Sequence, residues 1–179
     1  MHDLVTHQDQ RSLISLRRDE IDDHTIQGFV IGASDELVLL QYVYDFHLDG
    51  LMVLAVADIT EVRCTATDRF QQTLLDADGL VAQVPFGLRI NLEDWSSAIA
   101  DLAHRYPLLI LECERLEAPD FVIGRVKEMA HGEVRLECFS GAANWDDELV
   151  SLKYEDITSC QAGTNYTNVY QRYFERNAA

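Results

Sequence analysis

Positive charge is the scarcest resource in this chain. There are 14 Lys and Arg against 31 Asp and Glu, a formal net charge of −17. That shortage argues against phosphate-driven nucleic-acid binding, which needs clustered basic side chains. It argues equally against docking on anionic lipid. No apolar run approaches the roughly 20 residues of a spanning helix, so no membrane association is expected. Residues 1–18 lack the basic start and apolar centre of a signal peptide, and a cytoplasmic location is the expectation. The four cysteines (Cys64, Cys113, Cys138 and Cys160) include no C-x-x-C pair. Zinc spacing is therefore missing, and each thiol reads as a small buried hydrophobe. No Gly-rich phosphate loop occurs, and no Ser or Cys stands near a His on a Gly-flanked turn. An enzyme is not expected, nor is a cofactor.

What the chain does contain is a repetition. Asp58-Ile59-Thr60 returns as Asp156-Ile157-Thr158. Each copy follows an apolar strand, a second alternating strand, a turn and further strands, and each precedes an amphipathic helix. In the first half, residues 13–16 and 25–31 read as strands, with Ile26, Gly28 and Val30 on one face. Leu37 to Tyr44 and Leu51 to Val56 follow, with Asp49-Gly50 as the hairpin turn between them. A helix capped by Thr67 would place Phe70 and Leu74 one turn apart. Residues 79–92 read as a connector. Asp94 then caps a helix carrying Trp95, Ile99, Leu102 and Tyr106, which Pro107 stops. The second half repeats the pattern from Leu108 to Cys113, through a Pro119-Asp120 turn, to Val122, Gly124 and Val126. Val134 to Phe139, a polar loop over residues 141–147 holding Trp145, and Leu149 to Tyr154 complete it. A last helix carries Tyr166, Val169, Tyr170 and Tyr173.

Aligning the halves matches Leu13-Ile14 with Leu109-Ile110, and Gly28 with Gly124. Glu36, Leu37 and Leu39 match Glu133, Val134 and Leu136 after a one-residue insertion. The recurrence of Phe29-Val30-Ile31-Gly32 as Phe121-Val122-Ile123-Gly124 is read as chance. Five short strands with one apolar face must curl or pack on a helix. The expected fold is mainly β: two tandem, small, bent five-stranded barrels, each with an associated helix. Residues 1–78 form the first, 79–92 the connector and 93–179 the second.

The order Trp95 to Leu102, Phe121-Val122-Ile123-Gly124, Asp156-Ile157-Thr158 and Tyr166 to Tyr173 resembles uncharacterised bacterial proteins carrying tandem Sm-like (SH3-like) barrels. The resemblance implies that fold. The Asp/Asn and Arg-Gly signatures of RNA-binding Sm proteins are missing, since Ala57-Asp58-Ile59 and Glu155-Asp156-Ile157 stand where Arg-Gly belongs. RNA binding is therefore the weakest of the expectations.

Asp45, His47 and Asp49 alternate and would share a face, as a metal site requires, but so short a motif reads more simply as a solvated turn. His24 beside Asp22 and Asp23 reads the same way. Asp58 and Asp156 are expected to accept backbone N–H bonds and pin the turns that follow. Tyr166, Tyr170 and Tyr173 either cover an open end of the second barrel or, with Trp145, form a partner-binding surface. The function expected is a non-catalytic, acidic protein-binding or assembly module that forms a homo-oligomer or holds a basic partner. The alternative is a neutraliser of a basic protein, of the immunity or antitoxin type.

Overall fold

The computed structural model describes residues 2–118 and 120–177. The elements run α1 (His2–Gln10), β1 (Leu13–Arg17), β2 (Thr25–Ala33), β3 (Leu37–Tyr44), β4 (His47–Ala55), β5 (Glu61–Arg63) and α2 (Ala66–Ala77). Then come α3 (Trp95–Arg105), β6 (Leu109–Cys113), β7 (Asp120–Ala130), β8 (Glu133–Phe139), β9 (Trp145–Lys153), β10 (Ser159–Ala162) and α4 (Asn165–Asn177). Short 3₁₀ turns precede β5 and β10 at Val56–Asp58 and Tyr154–Asp156. Among the described residues, no helix is long and apolar enough to cross a membrane.

Two separate closed barrels are not what forms. All ten strands belong to one open antiparallel sheet, ordered β5-β1-β2-β3-β4-β10-β6-β7-β8-β9. Its first five strands and its last five nevertheless follow one scheme. The final strand of each half lies beside the half's first strand, and the others follow in sequence. The halves meet where β4 pairs with β10. There Val53, Cys160 and Leu111 stand opposite one another across three strands, as do Leu51, Ala162 and Leu109. An unpaired edge of β4 would leave a row of backbone groups unsatisfied, and β10 removes that cost.

The duplication extends to register. Gly28 faces Ile14 and Tyr42, and Gly124 faces Leu109 and Cys138. β2 bulges between Val30 and Gly32, and β7 bulges between Val126 and Glu128. A Cβ on Gly28 would come within 2.6 Å of the Gln41 carbonyl oxygen, and one on Gly124 would strike the Glu137 carbonyl. Side chains are excluded from both positions because the neighbouring backbone occupies their space. The pairing also corrects the sequence alignment. Ile14 corresponds to Leu109 rather than Ile110, and Val38 and Leu40 correspond to Val134 and Leu136 without an insertion. Phe29 and Phe121 are not equivalent: one pairs with Leu13 and is buried, the other pairs with Glu112 and is exposed.

Side-chain alternation sorts the core into two faces. On one face of the first half, Ile14, Leu16, Ile26, Val30, Val38, Leu40, Met52 and Leu54 pack together beneath Leu4 of α1. The opposite face (Leu13, Phe29, Ile31, Leu39, Leu51 and Val53) continues into Cys160, Leu111, Leu136 and Leu152 of the second half. Ile99 and Leu102 of α3 cover it, together with Val84 and Leu92 of the connector. Phe86 of the connector meets Phe29 edge-on at 5.9 Å. Residues 79–92 thus pack into a core that both halves share.

Several local expectations are corrected. The segment His2–Gln10, to which residue patterning assigns no element, forms a helix because Leu4 finds an apolar face to cover. α2 is capped by Thr65, not Thr67, in a reciprocal box with Asp68. Its buried anchor is Leu75, and Phe70 and Leu74 are exposed. The β3–β4 turn is Asp45-Phe46, both at positive φ, rather than Asp49-Gly50. Gly50 (φ +75°) lies in a bulge of β4 where a Cβ would sit 2.5 Å from the Ala162 carbonyl oxygen. Trp145 opens β9 instead of sitting in a loop. Pro119, half of an expected turn, lies outside the described residues.

Two predictions follow, one for the joint and one for the core that belongs to the first half alone. Gly50→Ala should lose at least about 2 kcal/mol in urea unfolding, since Ala resists positive φ and its methyl meets β10 backbone. Leu16→Ala should cost about 2–5 kcal/mol. Both tryptophans lie in the second half, so a first-half lesion that shifts their fluorescence midpoint would confirm that the halves unfold together.

Candidate functional site

The Asp-Ile-Thr repeats work through threonine rather than aspartate. The Thr60 N–H donates to the Arg17 carbonyl at 2.9 Å, and its hydroxyl accepts from the Asp19 N–H and donates to the Asp19 carboxylate. Thr158 does the same with the Glu112 carbonyl, the Glu114 N–H and the Glu114 carboxylate. Each threonine clasps the end of the strand beside it. Asp156 is half-buried and makes none of the expected backbone bonds. Asp58 is enclosed, and its carboxylate takes Arg115 from the second half while Oδ2 has no partner.

Arg18 crosses in the other direction. Buried at the end of β1, it donates to Glu114 at 2.8 and 3.0 Å and to Asp22 at 2.9 Å. Burial lowers the Arg18 pKa, and its bonds and charges with Glu114 and Asp22 outweigh that to raise it. Asp58 is shifted upward by burial, with Arg115 and Arg18 offsetting only part of the effect. A raised carboxyl among buried charges can mark a functional site. Here both arginines are spent on ties between the halves, which gives the network a structural role. Burial also raises three of the thiols, Cys113 and Cys138 to about 11 and Cys160 further. None of these three is poised as a thiolate nucleophile.

The metal-like alternation on β4 does not assemble. His47 Nδ1 bonds the Asp45 carbonyl at 2.7 Å. Asp49 accepts the Asn165 N–H at 2.6 Å, tying the β3–β4 hairpin to the start of α4. His24 and Asp22 form a local turn, with the His24 N–H donating to Asp22 at 2.7 Å. Among the described residues, no three His, Cys, Asp or Glu side chains are grouped to hold a metal ion. A cleft of about 640 Å³ opens between the halves, where the β2–β3 and β7–β8 turns approach the start of α3. Glu36, Glu93, Trp95, His131, Tyr154 and Glu155 contribute to its lining.

The four aromatic residues singled out from the sequence do come together. Tyr170 packs on Phe139 at 4.8 Å and on Tyr166 at 5.1 Å, and its hydroxyl donates to the Gly141 carbonyl. Trp145 stacks on Phe174 at 4.5 Å, and Tyr173 meets the same ring at 5.8 Å. The helix divides them by side. Tyr170 and Phe174 turn toward the sheet, whereas Tyr166, Val169 and Tyr173 are each about half exposed. Three residues belong to this surface that sequence reasoning omitted. Phe174 could have been found one turn beyond Tyr170. Phe139 and Arg125, whose guanidinium lies 4.4 Å from the Trp145 ring, reach it only through β7–β8–β9 pairing. Beside them runs the outer edge of β9, which among the described residues pairs with β8 alone. Its start, Asp146-Asp147-Glu148, is exposed, followed by exposed Leu149.

Compared with protein-family models, curated proteins and solved structures, the chain matches none.

Two carboxylates of opposite shift give a pH test. Burial pushes Asp68 up, but hydrogen bonds from Ser15, Thr65 and Gln27 prevail and lower it. Its stabilisation is present above the unfolded-state pKa and lost as pH falls through the folded value. Asp58, raised on folding, behaves in the reverse sense and costs stability when ionised. At pH 7 Asp68→Asn should lose about 1–3 kcal/mol, a deficit that narrows toward pH 3. Asp58→Asn should leave the melting temperature at pH 7 unchanged or raised. A melting temperature lowered as much as in Asp68→Asn would show that the Arg115 pair outweighs burial.

Proposed function

We propose that this protein is a non-catalytic, acidic protein-binding module, and that the Tyr166, Val169 and Tyr173 stripe on α4 is the centre of its contact surface. The observation carrying the reading is that these side chains stay about half exposed on a platform already held by Tyr170, Phe174, Phe139 and Trp145. Tyrosines on a fixed base offer large apolar area with a polar tip and lose little entropy on contact. The net charge of −17 favours a basic partner and disfavours nucleic acid. Kinship with tandem Sm-like barrels is supported by the twice-repeated strand order, the shared bulge and the mid-strand glycines. The open sheet is the departure from that fold. Neutralisation of a basic toxic protein is a second reading, favoured by the exposed acids of β9 beside the same surface.

The test uses the full chain as bait in an extract of its native host, with Tyr166→Ala/Tyr173→Ala as control. A discrete polypeptide should be retained by the wild type and weakened by at least tenfold in the variant, the scale of a hot spot. Equal retention by both would remove the surface from the account. A strict monomer in light scattering that retains nothing would remove the binding function.

A further inference from the structure

We propose that the outer edge of β9 takes up an extended basic strand from a different protein, pairing with it antiparallel as an eleventh strand. This deepens the protein-binding reading and rests on it.

The molecule itself shows how this edge is used. β4 and β9 are the same strand of the two halves, facing β3 and β8 with matching partners: Met52 opposite Leu40, and Val150 opposite Leu136. The outer edge of β4 is covered by β10. On β9 the same edge is open over nine residues, most of them exposed: Leu149 to Lys153 keep regular register with β8, and Asp146 to Glu148 form a bulge before them. Such an edge is a template for a further strand.

A second copy is a poor occupant. If it offered β5, the counterpart of β10, the strand would span three residues whose Glu61 and Arg63 pair with each other. If it offered β9 again, Asp146, Asp147 and Glu148 would face their own copies. The close β4–β10 approach also depends on Gly50, directly before Leu51, where the Ala162, Gly163 and Thr164 backbone fills the space of a Cβ. Directly before Leu149, in the corresponding place, stands Glu148, which does not share the positive φ. The internal joint therefore cannot be copied between chains.

Charge defines the partner instead. Asp146, Asp147 and Glu148 are consecutive and exposed. None of the ion pairs among the described residues involves them. They repel an acidic strand, including another copy of this −17 chain, and attract one carrying Lys or Arg. Exposed Leu149 next to them gives the apolar side chains of an alternating strand something to meet.

The probe is an alternating Lys-Val octapeptide, titrated against the full chain carrying Trp95→Phe so that Trp145 is the only tryptophan. A saturable change in Trp145 emission is expected. The same peptide N-methylated at every residue, which loses the backbone donors of both strand edges but keeps its charge, should bind at least tenfold more weakly. Asp146→Asn/Asp147→Asn/Glu148→Gln should weaken the parent peptide by a similar factor with its thermal melt unchanged. Equal binding of both peptides, or an unaffected triple variant, would overturn the proposal. So would dimers in light scattering that the peptide dissociates, since the edge would then belong to a second copy. If a host polypeptide is lost with Tyr166→Ala/Tyr173→Ala but retained by the triple variant, the protein-binding reading stands and the strand-pairing inference fails.

Discussion

Val53, Cys160 and Leu111, side by side across β4, β10 and β6, are the contact on which the rest of this structure depends. A five-stranded sheet exposes two edges and one uncovered face, and it cannot be stable with all three in water. Placing the last strand of the second half against the fourth strand of the first removes two edges at once. It also joins one face of the first half to the core of the second, so that Phe29 and Leu136 belong to the same core. The charged ties Arg18–Glu114 and Arg115–Asp58 then bridge the halves at the same end of the strands. Their net contribution is small because each buried charge carries a desolvation cost. They serve registration more than cohesion.

Repetition with asymmetry is the other theme. The threonine clasps at Thr60 and Thr158, the close approaches at Gly28 and Gly124, and the bulges after Val30 and Val126 are the same solution used twice. The helices are not. α2 docks on β1 through Asp68 and Gln72, whereas α4 lies on Phe139 and Trp145. The two free edges differ as well. β5 is short and internally paired, and β9 is long and acidic. Those departures from symmetry, rather than the repeated core, carry the candidate interaction surface, because an element not needed for folding in both halves is free to diverge.

Much of this was readable from residue order. Alternation located most of the strands, Asp94 and the Trp95, Ile99, Leu102 and Tyr106 spacing located α3, and the recurrence of Asp-Ile-Thr announced the duplication. The aromatic set on α4 was legible from helical spacing alone. Boundaries failed where two local signals competed. Thr65 and Thr67 could both cap α2, and only Thr65 lies where Asp68 can return the bond. Asp49-Gly50 carries the usual turn chemistry, yet the chain turned at Asp45-Phe46 and used Gly50 to admit a neighbouring strand. A positive-φ glycine looks the same in sequence whether it serves a turn or a close approach.

The chain's own order of residues determined that there would be two similar β-rich units with acidic exteriors, because periodicity and charge are local quantities. Whether those units would close separately or join was decided only in three dimensions. β4 can be satisfied by its own half or by a strand that comes more than a hundred residues later, and the choice rests on the sum of edge, face and backbone contacts that no segment contains by itself. The same holds for the surface: Arg125 lies on Trp145, and β9 is left open, because of pairings that exist only once the whole sheet has formed.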